Sequence, residues 1–521
     1  MRIALASLLL AMPALAGEPA DLVLRGGEIR TMDPAHPIAH AIAVRGDKIV
    51  ALDDVTIGPK TKVIELQGAT VIPSLTDAHA HLSGLGMALV GIDLRGCNSP
   101  ADCAKRVAAA APSRGEWRIG RGWDQNLFAD PKFPTHAALD GISGPVYLRR
   151  VDGHAVWANA AALRLAKIDR ATKDPDGGKI VRDERGEPTG VFVDGAMSLI
   201  EHVLPAPNAD SIEAAILRAQ SVALSVGLTE VHEMGIDAAT IAAYERLAGD
   251  GRLTLRVYAF AAPAEAQRLL QHAPDRPIGR FTLRGIKLFA DGALGSRGAA
   301  LLAPYADDPK NSGLVVTPPD QIKQTAQAAV AKGWQLAIHA IGDRANRDVL
   351  RAYQDAGVRA PDRFRIEHAQ VVHRDDFGGF RNLAIASMQP THATSDMAWA
   401  EARIGRERIK GAYAWRTMLN SGVHLAFGSD FPVEKPDVIA GIVAAVKRGG
   451  WTLEQALTLD EALHAFTTGA AYAAFEEKWR GTAAPGMAAD LTVFDGKFPD
   501  WKPKMTIVAG QIAWSSLREH P

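Results

Sequence analysis

The sequence predicts an α/β protein: a (β/α)8 TIM barrel with a large insert after its first strand, together with a small β-sandwich built from both chain ends. Three features lead to this prediction. Short apolar runs recur with helical stretches between them, the first two runs are separated by far more than a normal loop, and both chain ends carry short alternating runs. Regular alternation of strands and helices is typical of βα units and a parallel sheet.

The composition favours a protein that acts on small molecules. The chain has 521 residues, 47% of them apolar, so it can bury a large core and is expected to hold one large domain with an accessory one. The formal net charge is −1, so no broad electrostatic field attracts nucleic acid or an anionic membrane. We expect a small-molecule substrate, no nucleic acid and no stable membrane insertion, and we leave a homodimer open.

Residues 1–16 differ in composition from the rest of the chain. They carry one Arg, an apolar run over residues 3–10, and the small-residue pattern Ala14-Leu15-Ala16 ahead of Gly17. This is typical of a secretory signal peptide, and the apolar run is well under the roughly 18–20 residues that span a bilayer. We therefore expect an exported protein, which in a bacterium is periplasmic.

The chain has two cysteines, Cys97 and Cys103. An oxidising compartment would permit them to pair across the turn at residues 98–100. The alternative is two unpaired thiols.

Both chain ends have the composition of strands. Residues 22–24, 41–44 and 49–52 are apolar or alternating runs, with glycine-containing turns between them, and residues 489–496 and 505–510 repeat the pattern. We predict a composite β-sandwich from residues 17–70 and 485–521. The alternative is two unrelated β appendages.

Residues 71–484 contain eight strand-like apolar runs, which predict the barrel. They are residues 71–72, 228–232, 255–260, 286–289, 335–338, 364–366, 384–388 and 423–427. Amphipathic helices are predicted before two of them, over residues 212–225 and 321–332. The segment at about 83–208 is too long for a βα loop, so we predict a lid or insert with structure of its own.

Residues 70–82, TVIPSLTDAHAHL, carry two imidazoles at the end of the first predicted strand. Side chains at i and i+2 of a strand point the same way, so His79 and His81 can bind one metal ion, with Asp77 one alternation back on that face. An H-x-H pair alone also fits a polar strand edge. The other strands therefore decide between these interpretations.

Polar residues end several of the other predicted strands, where a TIM barrel places its chemistry. Lys287 lies within the fourth run, His339 ends the fifth, His368 ends the sixth and Asp430 follows the eighth. A lone residue of this kind is usually structural, and we assign that role to His232 after the second run. Imidazole and carboxylate donors at one rim suit zinc or a similar divalent ion.

Taken together, these residues and their surroundings resemble the amidohydrolase superfamily, and more narrowly its YtcJ-like branch, amidohydrolase family 3. The resemblance covers essentially the whole chain after residue 16. Where many relatives have Gly-Phe or Gly-Leu after the Pro of the first motif, this chain has Ser74-Leu75, which should affect packing rather than chemistry. The matching stretches are PSLTDAHAHL, GRGWDQ (residues 120–125), RRVDGHAVWAN (149–159), GLTEVHEMG, IKLFADGALGSRGA, LAIHAIGDRAN, RIEHAQ and FGSDFPVE.

The resemblance implies a site for two divalent metal ions, with zinc as the expected metal. It assigns His79, His81 and Asp430 to one ion and His339 and His368 to the other. Lys287 would bridge them after carboxylation by CO2, since a protonated Lys has no acceptor atom. A metal-bridging hydroxide would be the nucleophile, and Asp430 would pass its proton to the leaving nitrogen.

Seven further residues are predicted to contact the substrate. Four of them resemble family positions that face the pocket: Trp123, His154, Trp157 and Arg297. Gln389, His392 and Arg344 lie just beyond strand ends. Core packing is the alternative for the tryptophans. Gly292, Gly295 and Gly298 do not have the spacing of a phosphate-binding loop and are interpreted as loop flexibility.

The predicted function is hydrolysis of a carbon–nitrogen bond of amide type, such as an N-acyl or N-formyl bond, in a small molecule. The alternatives are a mononuclear deaminase, or a cyclic-amide or ester hydrolase of the same superfamily. A non-catalytic periplasmic binding protein is the remaining alternative. The substrate itself is not determined by the fold or the metal ligands.

Overall fold

The computed structural model describes residues 18–516. The predicted signal peptide, residues 1–16, therefore lies outside the described residues. Within residues 18–516, no helix is both long enough and apolar enough to cross a membrane.

Five strands open the described chain. The long strand β1 pairs with β2 in antiparallel register, with Leu22 opposite Val44 and Leu24 opposite Ile42. Its two halves also pair in parallel with β4 and β5. These strands are β1 (Leu22–Arg30), β2 (Ile38–Arg45), β3 (Lys48–Leu52), β4 (Lys62–Glu65) and β5 (Thr70–Pro73).

The first barrel strand and its helix are followed by an insert that forms a sheet of its own, as predicted for residues 83–208. Its strand order is β11-β12-β10-β9-β8-β7. A disulfide joins Cys97 to Cys103 at the start of its helix α2, where the Ser99 hydroxyl accepts a bond from the Asp102 amide. The elements are β6 (Thr76–Ala80), α1 (Leu82–Ala88), β7 (Ile92–Asp93), α2 (Pro100–Ala109), β8 (Arg118–Trp123), β9 (Val146–Arg150), β10 (Ala155–Ala158), α3 (Ala160–Leu165), β11 (Gly178–Arg182), β12 (Pro188–Asp194) and α4 (Ser198–Glu201).

The barrel continues with seven parallel strands and the helices that cover them. The strand order is β6-β13-β14-β15-β16-β17-β18-β19. These elements are α5 (Ala209–Ser225), β13 (Glu230–Ile236), α6 (Ala238–Gly249), β14 (Arg256–Ala261), α7 (Ala266–Leu269), β15 (Phe281–Phe289), α8 (Pro319–Lys332), β16 (Gln335–Ala340), α9 (Asp343–Asp355), β17 (Arg365–His368), α10 (Phe377–Phe380), β18 (Ile385–Met388), α11 (Pro390–Asp396), α12 (Ala400–Arg408), α13 (Trp415–Asn420), β19 (Leu425–Phe427), α14 (Val438–Lys447), α15 (Leu459–Phe466) and α16 (Thr468–Ala473).

Backbone bonds join the first barrel strand to the segment that follows the last one. The His81 amide donates to the Phe431 carbonyl at 2.8 Å, and the Asp430 amide donates to the His79 carbonyl at 2.7 Å. This brings His79, His81 and Asp430 together at the carboxyl end of the barrel.

The predicted helices at 212–225 and 321–332 are confirmed as α5 and α8. Asn208 caps α5 by accepting from the Ser211 amide, and Ile212, Ile216 and Ala219 bury one face of that helix. The helix α8 ends at Gly333, whose φ of 79° supplies the left-handed C-cap.

Three C-terminal strands complete the first sheet, which we call the terminal sheet: β20 (Leu491–Asp495), β21 (Lys502–Val508) and β22 (Gln511–Ser515). Its order is β22-β21-β20-β5-β1-β2-β3, with β4 on β1. Both chain ends therefore contribute to one accessory unit, as predicted, but its strands belong to a single eight-stranded sheet where a β-sandwich was expected. The Thr506 hydroxyl donates to the Leu224 carbonyl at 2.7 Å, which ties this sheet to α5.

The prediction that residues 71–72 form the first barrel strand is wrong. They lie in β5 of the terminal sheet, where Val71 is opposite Ile29 of β1 and Val493 of β20. The chain then turns at Ser74, whose φ is 50°, and enters the true first barrel strand, β6. The apolar runs in the sequence favour β5 instead of β6 as the first barrel strand, because β6 carries the polar residues of the site. The other seven predicted barrel strands are confirmed, with ends shifted by a few residues.

Candidate metal centre

The six predicted metal ligands line one cavity of about 440 Å³ at the carboxyl end of the barrel. His79 and His81 come from the end of β6, Lys287 from β15 and His339 from β16. His368 ends β17, and Asp430 follows β19. We call this space the large cavity.

Three of the histidines have their Nδ1 atoms against hydrogen-bond acceptors. His79 Nδ1 lies 2.5 Å from Glu367 Oε2, and His81 Nδ1 lies 2.9 Å from the Met234 carbonyl oxygen. His368 Nδ1 lies 2.7 Å from Gln389 Oε1. A neutral imidazole that donates from Nδ1 has its lone pair on Nε2, and metal-binding histidines are commonly oriented in this way. Each ring is thus set to offer Nε2 as a ligand.

Two of these lone pairs, those of His79 and His81, face the carboxylate of Asp430. Its Oδ1 lies 3.2 Å from His81 Nε2 and 3.6 Å from His79 Nε2. Within residues 18–516 this buried oxygen has no hydrogen-bond donor. Ligand atoms of His79, His368 and Asp430 lie within 4.8 Å of one another. Several acceptors converge here, which is the environment that a divalent cation requires.

Lys287 lies against this cluster. Its Nζ is 3.5 Å from His79 Nε2 and 5.1 Å from the centre of the Phe289 ring. Burial lowers the pKa of the amine from 10.5 to about 8, although the charges of Glu367 and Asp430 oppose the shift. An appreciable part of the amine is therefore uncharged near neutral pH.

His339 presents a different ring nitrogen. Its Nε2 lies 3.3 Å from the Gly292 carbonyl oxygen and 3.4 Å from Asp291 Oδ1. With Nε2 as the donor, Nδ1 is the atom left to bind a metal. The ring packs on those of His154 and His368, with centroids 4.7 and 4.6 Å away.

Two of the six residues have left-handed backbone conformations. His368 has φ of 71° and Asp430 has φ of 61°, and Ala369 follows with 42°. Adjacent strand residues normally point to opposite faces, yet Glu367 and His368 both reach this site. The change of φ at the end of β17 makes this possible. Left-handed non-glycine residues often mark functional sites.

Glu367 and Arg365 also belong to the site, although they were not predicted to do so from the sequence. Arg365 Nε lies 2.7 Å from Glu367 Oε1, and both side chains are fully buried. Although burial raises the pKa of Glu367, the charges of Arg365 and His79 outweigh that effect and hold it well below its ordinary range. Arg365 also donates to Ser387 Oγ and His232 Nδ1, which gives His232 the structural role expected for it. The sequence feature that could have identified Arg365 and Glu367 is this pair of opposite charges within the short, buried strand β17.

Asp77 and Glu233 are not predicted metal ligands, but each hydrogen-bonds a residue next to one of those ligands. Asp77, expected on the ligand face, accepts bonds from the Ser429 amide at 2.9 Å and the Ser429 hydroxyl at 2.6 Å. It thereby anchors the residue before Asp430. Glu233 accepts from the Ser83 amide and hydroxyl and from the Leu82 amide, which caps α1 just after His81.

Three of the seven predicted substrate contacts lie at the site. His154 lines the large cavity and donates from Nδ1 to Asp194 Oδ1 at 2.6 Å. Gln389 holds His368. His392 lies with Nε2 3.3 Å from Asp430 Oδ2 and Nδ1 3.2 Å from Glu434 Oε1. It therefore positions Asp430, and it also lines a second cavity.

The other four predicted contacts are corrected by the structure. Trp123 and Trp157 pack on each other in the core of the insert, and each indole NH donates to a carbonyl there. Arg297 pairs with Asp307, and the half-exposed Arg344 pairs with Asp348. None of the four lines either cavity of the metal centre. Core packing was the better interpretation of the tryptophans because their NH groups are satisfied within the insert.

The three regularly spaced glycines are also corrected. A Cβ at Gly298 would lie 2.7 Å from Asp194 Oδ2, and Gly292 faces the same carboxylate even more closely. A Cβ at Gly295 would lie 3.2 Å from Arg150 Nη1. The glycines allow buried side chains of the insert to approach the barrel loop, which is a packing requirement rather than flexibility.

Comparison with known proteins points to the same kind of site. The model of the amidohydrolase family matches residues 62–513. The YtcJ amidohydrolase of Bacillus subtilis (strain 168) is 34% identical over 484 residues, which cover 88% of this chain and 91% of that protein. The N-substituted formamide deformylase of Arthrobacter pascens is 26% identical over 516 residues, covering 91% and 93%. The crystal structure of an uncharacterized metal-dependent hydrolase from Pyrococcus horikoshii OT3 aligns with a TM-score of 0.76 and 30% identity, covering 92% of this chain and 98% of that one.

Proposed function

This chain belongs to the amidohydrolase family, and on that premise we propose that it hydrolyses an amide-type carbon–nitrogen bond of a small molecule. It is a metal-dependent hydrolase by family. The type of bond that is hydrolysed and the number of metal ions that are bound are proposals. The observation that carries the proposal is the convergence of the His79 and His81 Nε2 atoms on Asp430, with a ring nitrogen of His368 within 4.8 Å of ligand atoms of His79 and Asp430. The Nδ1 atom of each of the three rings lies against an acceptor.

The residues fit a pair of divalent ions. His79, His81 and Asp430 would hold one, His339 and His368 the other, and Lys287 lies beside the cluster where a carboxylated side chain could bridge them. When bound there, such ions polarise a substrate carbonyl and lower the pKa of a coordinated water toward neutrality.

Asp430 is the proposed proton acceptor. Its pKa lies well below 3.8 because His79, His392 and His81 outweigh the opposing effect of burial, so the carboxylate is ionised at neutral pH. His392 Nε2 faces its Oδ2, which leaves Oδ1 directed at the cluster. Asp430 can therefore take a proton from the attacking water and deliver it to the departing nitrogen.

Amide hydrolysis is preferred to deamination for two reasons. A buried Lys287 beside the histidines supports a bridged pair of ions, whereas the deaminases of this superfamily generally use one. A relative aligned over almost the whole chain carries the name of a formamide deformylase. We also propose export, which the buried Cys97–Cys103 disulfide supports because disulfides persist in oxidising compartments.

The test is to purify the protein, supply zinc, and measure both metal content and hydrolysis of N-formyl amines, N-acyl amines, cyclic amides, esters and aminated heterocycles. About two equivalents of metal and amine release from an open-chain amide are expected. One equivalent with ammonia release would favour the deaminase. Preferential turnover of cyclic amides or esters would favour those hydrolases, and absence of metal and turnover would favour a binding protein.

A further inference from the structure

Two cavities meet at the ligand cluster. The wall of the large cavity includes Arg121 of β8 and Arg149 of β9 of the insert, and the wall of a smaller cavity of about 180 Å³ includes Trp399. They share His154, His339, His368 and Asp430. A substrate whose reacting bond lies at the cluster would thus extend into the large cavity on one side.

Two arginines of the insert lie side by side in the wall of the large cavity. Arg121 of β8 is directly opposite Arg149 of β9 in the parallel register of the insert sheet. Like charges at directly opposed positions destabilise a sheet unless an anion compensates them. Glu201 compensates Arg149, at 3.0 Å from its Nη2.

Arg121 has no such carboxylate partner within residues 18–516. Its Nη2 donates to the Val151 carbonyl at 2.9 Å. In the described part of the chain, neither its buried Nε nor that of Arg149 has an acceptor. The nearby Asp152 is already used, since it accepts from Arg150 and from the His154 amide. Each of the two guanidinium groups in this wall therefore keeps an Nε–H that no acceptor among the described residues satisfies.

From this cross-strand pair we infer that Arg121, assisted by Arg149, binds a carboxylate of the substrate, so that the substrate is an acylated or formylated amine with a carboxylate in the portion that fills the large cavity. The inference rests on the proposed function for the nature of the reacting bond. It assigns the anion subsite independently of that function.

The rest of the large cavity suits the remainder of such a molecule. Its wall includes Met197, Met234, Phe289 and Val316, and its volume is in the range that small organic ligands occupy. A guanidinium fork matches a planar carboxylate with two parallel hydrogen bonds. N-acylated amino acids combine these features: an amide, an apolar side chain and a carboxylate.

The test uses ligands that differ only in charge and cannot be cleaved as amides. They are the N-methanesulfonyl derivatives of glycine, leucine and phenylalanine, each as the free carboxylate and as the primary carboxamide, in both enantiomeric forms where these exist. Affinities are measured by isothermal titration calorimetry on the purified, zinc-supplied protein. At least one carboxylate should bind about tenfold or more tightly than its carboxamide, as expected for charge-assisted hydrogen bonds.

Variants then separate the arginines from the metals as the source of that preference. Arg121→Met should bring the ratio of carboxylate affinity to carboxamide affinity close to one. Arg121→Lys, which keeps the charge but loses the guanidinium fork, should give an intermediate ratio. Arg164→Met removes an exposed charge from α3 of the same insert and should leave the ratio unchanged. Thermal unfolding of each variant checks its fold.

The outcomes distinguish this inference from the proposed function. An affinity ratio near one for all five ligand pairs, or a ratio that survives in a folded Arg121→Met variant, would overturn the carboxylate subsite even if amides are hydrolysed. A carboxylate preference that depends on Arg121, in a protein that hydrolyses no amide, would support the subsite and reject the proposed function.

Discussion

At the scale of single residues, the role of each histidine is decided by what its other ring nitrogen contacts. His79 faces Glu367, whereas His81 faces a backbone carbonyl. A carboxylate partner increases the basicity of an imidazole more than a carbonyl does, so His79 is expected to be the stronger ligand. The chain His79–Glu367–Arg365 extends this support into the interior of the barrel.

Replacing Lys287 tests the bridge on which a two-ion site depends. Lys287→Ala should lower bound metal from about two equivalents and reduce turnover about a hundredfold or more, because the bridging carboxylate cannot form. Acetate or propionate should restore part of the activity by entering the vacated space. Metal analysis and turnover, with and without these acids, are the measurements.

Lys323→Ala, on the exposed side of α8, is the matched control and should keep both metal and rate. Full metal occupancy and near-normal rate in Lys287→Ala would reject the bridging role of Lys287.

Asp430 tests the assignment of the proton acceptor. Asp430→Asn should keep much of its metal, because an amide oxygen can still bind, while turnover falls about a hundredfold or more, since Asn does not accept a proton at neutral pH. Asp376→Asn, which changes a carboxylate paired with Arg347 away from the centre, is the control. Near-normal kcat in Asp430→Asn would show that another group takes the proton.

At the scale of elements, the insert and the loop after β15 depend on each other. Asp194, at the end of β12, has a φ of 48° and faces Gly298, while its other oxygen holds His154 at the cluster. The loop glycines thus help to place a residue of the large cavity.

Gly298→Ala should therefore impair both stability and activity. The added Cβ, 2.7 Å from Asp194 Oδ2, must displace that carboxylate. We expect a cost of about 1 to 3 kcal/mol and reduced kcat/KM as His154 loses its partner. Gly249→Ala, at the exposed end of α6, adds a Cβ that meets no atom of another described segment within 4 Å. It should be neutral or stabilising by under about 1 kcal/mol. Equal urea midpoints for the two variants would contradict this packing role.

The disulfide gives a second prediction for the insert. Mass spectrometry of protein prepared without reductant should find Cys97 and Cys103 linked. Replacing both with Ala should lower the free energy of unfolding by about 2 kcal/mol, the loop-entropy estimate for so short a loop. Bound metal should not change, because the disulfide is in the insert rather than at the ligands. Complete alkylation of both thiols would contradict the linkage.

At the scale of the whole molecule, Asp490 joins the terminal sheet to the barrel. It lies 2.7 Å from Arg256 of β14 and 3.5 Å from Arg480, and it accepts from the Ala509 amide at 2.8 Å. Removing one member of a buried ionic group leaves the others uncompensated. The stability of the barrel should therefore depend on this single carboxylate.

Asp490→Asn should lower the free energy of unfolding by about 3 kcal/mol at neutral pH. The cost should depend on pH. Burial raises the pKa of Asp490, but Arg256 and Arg480 outweigh it and hold the pKa below 3.8. The stabilisation is thus present above 3.8 and is lost as pH falls through the lower value of the folded protein.

Urea unfolding of the wild type and the variant from pH 7 toward pH 3 provides the measurement, and the difference between them should narrow below about pH 4. Asp495→Asn, which removes an exposed carboxylate of β20 paired with Lys504, should change stability by under about 1 kcal/mol at every pH. A constant difference for Asp490→Asn would reject the ionic explanation.

The sequence by itself determined the barrel, its insert, the joining of both chain ends in one accessory unit and the six residues gathered at the cavity, because periodicity and ligand type are local properties of a chain. It did not determine β6, because the polar residues of that strand do not form an apolar run. It also did not determine the role of Glu367, which depends on β6 and β17 lying close enough for Glu367 to reach His79. Only the tertiary structure showed that Trp123 packs in the core of the insert and that Arg121 lines the large cavity. Both positions depend on contacts between segments far apart in the chain, which no local pattern records.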